Sequence, residues 1–112
     1  MGRGQSFGPI AFGAMTLRID FRRAAKSEFE NAAVWYEEQR PGLGEEFVIE
    51  IEQALAQAAV SPQRYPVVFG DVRRTVARRF PYAVYFRIRS DVLIVLAVFH
   101  GRRNPALWQR RG

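Results

Sequence analysis

The sequence predicts an α+β domain in the order β-α-α-β-β-β, a helical hairpin laid on a mainly antiparallel four-stranded sheet. Three observations carry this prediction. The apolar spacing changes from two to helical at Ala24 and returns to two after Gly70-Asp71. Proline and glycine fall at the joints, at Pro41-Gly42, Ser61-Pro62 and Phe80-Pro81. A chain of 112 residues that is 48% hydrophobic has room for one small domain with a packed core.

The elements follow in order. Leu17, Ile19 and Phe21 alternate with Arg18, Asp20 and Arg22, the period of a half-buried strand. Ala25, Phe29, Ala32, Ala33 and Tyr36 then share one helical face, and Arg40-Pro41-Gly42 ends that helix. A second helix carries Leu43, Phe47, Ile51, Ala54, Leu55 and Ala58 on one side and Glu45, Glu46, Glu52 and Gln53 on the other. So short a link makes the two helices an antiparallel hairpin. Ser61-Pro62 stops the second helix, and Pro66 keeps the next segment extended. Strands are expected over Val72–Arg79 and Tyr82–Arg89, both alternating, and over Val92–Phe99, which is apolar throughout and fits a central strand buried on both faces. The expected core between helices and sheet comprises Phe29, Tyr36, Phe47, Ile51, Leu55, Val84, Phe86, Ile94, Leu96 and Val98. Residues 1–14, with four glycines and a proline, read as a flexible leader outside the fold, and Met15 as a natural start for a single domain over 15–112.

Composition excludes several kinds of function. Cysteine is absent, so there are no disulfides, thiolate metal sites or cysteine nucleophiles, which suits a reducing cytoplasm. One histidine, His100, leaves no His-rich metal site, and neither paired carboxylates nor a phosphate-binding loop appear, so no cofactor is expected. No window approaches the roughly 18 consecutive apolar residues of a membrane span. The net charge of +6 is unevenly spread: +3 over 1–23, −6 over 24–60 and +9 over 61–112. Such an asymmetry suggests an anionic partner docking on the basic half. Arg-favouring codons of a high-GC genome would give the same composition.

Two basic groups stand out. After the last strand comes His100-Gly101-Arg102-Arg103-Asn104-Pro105-Ala106-Leu107-Trp108, with two guanidinium forks, an imidazole and an indole able to grip an anion or stack on a base. The plainer alternative is a strand cap, solvated arginines and a tryptophan that pins the tail. The second group is Arg73, Arg74, Arg78 and Arg79, which on an edge strand also guards against aggregation.

The element order, the Ser61-Pro62-Gln63-Arg64-Tyr65-Pro66 helix end, the Arg79-Phe80-Pro81-Tyr82-Ala83-Val84-Tyr85-Phe86 segment and the Val98-to-Trp108 ending together resemble the ParE/RelE toxin superfamily, from about Thr16 to Arg110. The resemblance implies the toxin of a type II toxin–antitoxin pair, often termed a plasmid stabilisation module. Its partner would be a ParD-like antitoxin with an acidic amphipathic C-terminal segment, and operator DNA would be met only through that antitoxin. Within the superfamily the RelE-like members are ribosome-dependent mRNA endoribonucleases that use basic residues and a terminal tyrosine. Here Ala83 stands where those have a basic residue and Trp108 where the tyrosine falls, and an indole offers no acid–base chemistry at neutral pH. The ending is closer to ParE, implying a non-catalytic poison of DNA gyrase that uses Arg102, Arg103 and Trp108, with Arg78 and Arg79 as a secondary surface. A ribonuclease would instead rely on His100, Arg74 and Arg102, and a non-toxic relative would only bind its antitoxin.

Overall fold

The computed structural model describes residues 17–100. Its elements are β1 (Arg18–Phe21), α1 (Arg23–Gln39), α2 (Leu43–Val60), a 3-10 turn (Pro62–Arg64), β2 (Val67–Phe69), β3 (Val72–Val76), β4 (Tyr82–Arg89) and β5 (Val92–His100). The sheet order is β1-β5-β4-β3-β2. β1 runs parallel to β5, and every other pairing is antiparallel. No helix among the described residues is long and apolar enough to cross a membrane.

The hairpin closes tightly because of two glycines. Gly42, at φ 89°, takes the left-handed conformation that turns the chain from α1 into α2. Gly44 is where the helices touch: a Cβ there would overlap the Ala33 carbonyl oxygen and lie 2.9 Å from Glu37 Cβ. The Glu37 carboxylate reaches across and accepts the Gly42 and Gly44 N–H groups at 2.9 and 3.0 Å. It caps the first turn of α2 from outside, where free N–H groups and the helix dipole favour an anion.

The core under the helices centres on Phe47, whose ring meets those of Phe29, Tyr36, Phe80 and Tyr82 at 5.1–5.9 Å. Ile51, Leu55, Ala58, Ala59, Val84, Phe86, Leu93, Val95 and Val98 complete it, with Phe29 and Tyr36 only partly buried against it. Burial, then the neighbouring Tyr82, push the Tyr36 phenol above its ordinary pKa.

Three expectations are corrected. The sheet has five strands, because Val67–Phe69 pairs with β3 outside it. The strand expected over Val72–Arg79 stops at Val76. Beyond it the chain bends in: Ala77 N–H bonds the Tyr82 carbonyl, Arg79 N–H bonds the Glu50 carboxylate at 2.7 Å, and Phe80 drops between Tyr36 and Phe47. Ile94 and Leu96 do not join the helix-side core. They belong with Val72, Ala83, Tyr85, Ala97 and Phe99 in a second cluster on the far face of the sheet.

The last correction has a local cause. Tyr85 pairs with Ala97 but Phe86 pairs with Val95, so β5 carries one residue more than β4 at that point. The alternation therefore changes phase. Leu93 and Val95 face the helices before the extra residue, and Val98 faces them after it. β5 is buried on both faces, as its unbroken apolar run predicts.

Candidate functional site

The basic group after the helices is built on β3 and the bent segment 77–81, and it divides in two. Arg73 is half-buried and donates to the Tyr65 carbonyl at 2.7 Å, fixing the entry to β2. Arg79 donates to Glu46 Oε1 at 2.8 Å, and Arg40 approaches the same oxygen at 3.5 Å. The hydrogen bond from Arg79 holds the Glu46 carboxyl below its ordinary pKa, and Glu46 in turn raises that of Arg79. Arg74 and Arg78 are exposed. Arg78 lines a cleft of about 450 Å³ between α2 and β3, with Glu50, Gln53, Gln57, Tyr65 and Val76.

A third pair of arginines lies on β4. Arg87, nearly buried, contacts Asp71 at 3.0 Å, and Arg89 bonds the other oxygen of the same carboxylate. The bond from Arg89 holds Asp71 below its ordinary pKa. These contacts tie the β2–β3 turn, where Gly70 has φ 56°, to the middle of the sheet.

His100 ends β5 opposite Tyr82, with the two rings edge to face at 5.6 Å. It lies on the helix side, in a shallow cleft with Glu28, Trp35 and Tyr82. Glu28 reaches from α1 to accept the Val98 N–H at 3.0 Å, where β1 has already ended. Arg74 pairs with Tyr85, whose side chain lies in the far-face cluster. His100 and Arg74 thus project from opposite faces of the sheet, and the structure does not bring them together. Ala83 is buried on the far face beside Phe99. Arg102, Arg103 and Trp108 lie outside the described residues.

Among the described residues no group of three or more His, Asp or Glu could hold a metal ion. The arrangement offers exposed cations beside exposed apolar side chains: Val67, Val68, Phe69 and Val76 are all open to solvent. Nothing in the sequence marks them, because Val-Val-Phe before a turn reads equally well as buried.

The described residues thus form a small α+β domain that presents exposed cations and exposed apolar strand residues. The chain matches the ParE toxin of type II toxin–antitoxin systems over residues 19–105, and it belongs to that family. Among solved structures it is similar to a chain of the chromosomal ParDE toxin–antitoxin system of P. aeruginosa, at 16% identity and a TM-score of 0.66. That likeness covers 76% of this chain and 96% of the other. No curated protein matches the chain.

Proposed function

We propose that this chain is the toxin of a type II toxin–antitoxin pair, that it arrests growth by poisoning DNA gyrase, and that a cognate antitoxin neutralises it. Family membership supports the module, and the ParDE neighbour supports a partner of the antitoxin kind. One observation favours the gyrase target over the ribosome. A ribonuclease needs cations and a proton-transfer group gathered around one phosphate, whereas His100 and Arg74 stand on opposite faces of the sheet. A gyrase poison needs only a binding surface, a role we assign to Arg102, Arg103 and Trp108, with Arg78 and Arg79 as a secondary surface. Arg79 contributes by holding segment 77–81 on Glu46 and Glu50. The protein acts in the cytoplasm, where its target is, and needs no cofactor.

The test is induction of the chain alone and with the protein of the neighbouring reading frame. Filamentation, an SOS response and inhibited supercoiling by purified gyrase are expected, with rescue on co-expression. Replacing Arg102 and Arg103 by Ala should abolish toxicity and leave antitoxin binding largely intact. Early mRNA cleavage in a translating extract, with gyrase unaffected, would overturn the gyrase reading.

A further inference from the structure

Arg18, Arg40, Arg73, Arg79, Arg87 and Arg89 are each held by an oxygen of the chain itself. Arg22, Arg23 and Lys26 are not. All three are exposed, and among the described residues they enter no ion pair and no side-chain hydrogen bond. They stand together at the entry to α1, with Arg22 as its N-cap and the Lys26 N–H bonded to the Arg22 carbonyl at 2.9 Å. Spacings of three and four put Lys26 on the same stretch of helix surface as the two arginines. The carboxylates nearest them in sequence are engaged elsewhere, Asp20 by Arg18 and Glu28 by the Val98 N–H. Glu30, one turn beyond Lys26, makes no ion pair with it. With no acid in the first turn, the cluster sets like charge against the positive end of the helix dipole. It costs α1 stability rather than adding to it.

We propose that Arg22, Arg23 and Lys26 form a contact for the phosphate backbone of duplex DNA, the DNA that gyrase holds when this chain binds it. The proposal rests on the gyrase reading above for its setting. Surroundings decide the occupant. Arg78 lines a cleft with the exposed Val76, a mixture of cation and apolar surface that suits a protein partner. From Arg18 to Ala33, by contrast, no large apolar side chain is exposed. Cations without an apolar centre suit a polyanion, whose affinity comes from neutralised phosphates and released counterions. Long side chains on neighbouring helical positions reach successive phosphates of one strand. β5 ends at His100 beside Glu28 and Asn31 of the same helix, and Arg102 and Arg103 follow in sequence. A gyrase contact through those two would therefore bring α1 close to the enzyme.

The test uses the full chain and a short labelled DNA duplex of mixed sequence, without gyrase, followed by fluorescence anisotropy over a range of salt. Wild type should bind with a steep salt dependence. Arg22→Gln, Arg23→Gln and Lys26→Gln together should weaken binding at least about tenfold and flatten the slope of log Kd against log salt by about two to three. Arg22→Lys with Arg23→Lys keeps the charge and should stay within about twofold of wild type. Arg64→Gln, which removes an exposed cation just before β2 at the other edge of the sheet, should also stay within about twofold. Urea titration should find the triple variant at least as stable as wild type, because it relieves the helix dipole. With gyrase, that variant should still bind the enzyme in the absence of DNA, but need at least about tenfold more protein to inhibit supercoiling. Duplex binding or supercoiling inhibition unchanged in the triple variant would overturn the DNA contact and leave the gyrase reading intact. Tighter binding of wild type to an RNA duplex of the same length would overturn DNA as the occupant. Duplex binding that depends on the three cations, in a chain that does not touch gyrase, would overturn the gyrase reading alone.

Discussion

The helical hairpin and the outer part of the sheet use charge in opposite ways. In the hairpin, glutamates turn inward to the chain's own polar groups: Glu28 to Val98 N–H, Glu37 to Gly42 and Gly44, Glu46 to Arg79 and Arg40, Glu50 to Arg79 N–H. Four of the eight glutamates of residues 24–60 are therefore fastenings. On β3 and in the segment that follows it, Arg74 and Arg78 face solvent, near valines that are also exposed. A carboxylate accepting backbone N–H groups fixes geometry, while an exposed guanidinium stays available to a partner. Charge of both signs fastens the scaffold, whereas Arg74 and Arg78 are left on the surface.

The contrast can be broken most severely at its centre. Phe47→Ala should destabilise the fold by about 3–5 kcal/mol in urea titration, since four rings lose their common neighbour. Gly44→Ala should cost about 1–3 kcal/mol, because the Ala33 backbone cannot retreat from the added methyl without opening the hairpin. A change of less than about 0.5 kcal/mol in that variant would show that the helix contact is looser than described. Glu37→Ala should cost about 1–2 kcal/mol, read the same way, by leaving two helix-start N–H groups without their carboxylate.

Much of the fold was legible beforehand. Helix ends at Pro41-Gly42 and Ser61-Pro62, and the strand Tyr82–Arg89, follow directly from periodicity and breakers. β2 escaped notice because three apolar residues between Pro66 and Gly70 are too few to show a period. The face assignment in β5 failed for a different reason. A strand apolar at every position carries no phase, so the extra residue leaves no mark in the sequence, and Ile94 and Leu96 lie on the far face rather than under the helices. The glutamate fastenings were equally hidden, since Glu28 and Val98 are far apart in sequence and a carboxylate-to-backbone bond has no signature. For the candidate site, the alternation already sets Arg74 and Arg78, which share the face of Val72 and Val76, apart from Arg73 and Arg79, but it cannot show what ties the latter pair, because Tyr65 and Glu46 are distant in sequence.

Smaller effects sharpen the same contrast. Glu46 and Asp71 have carboxyl pKa values lowered in the folded chain, chiefly by hydrogen bonds from Arg79 and Arg89. A lowered folded value adds stability above the ordinary carboxylate range, and that stability is lost as pH falls through the lowered value. Both groups are exposed, so the contribution is small and salt-sensitive. Glu46→Gln should lower the urea midpoint slightly at neutral pH, and the difference from wild type should vanish in strong acid. Smallest of all, Arg78→Ala should change stability by less than about 0.5 kcal/mol while weakening partner binding at low salt. A marked loss of stability there would place Arg78 among the fastenings.

The extra residue in β5 gives the strand one position to spare. With it, the strand leaves the sheet at His100 on the side of Glu28 and Trp35. Removing Ala97 would restore regular alternation and leave His100 opposite Tyr82, because Leu96 would then face Tyr85 alone and Val98 would still face Val84. The end of the strand is thus held by its partners on β4, and a single deletion inside β5 is absorbed at the extra residue rather than passed on to His100.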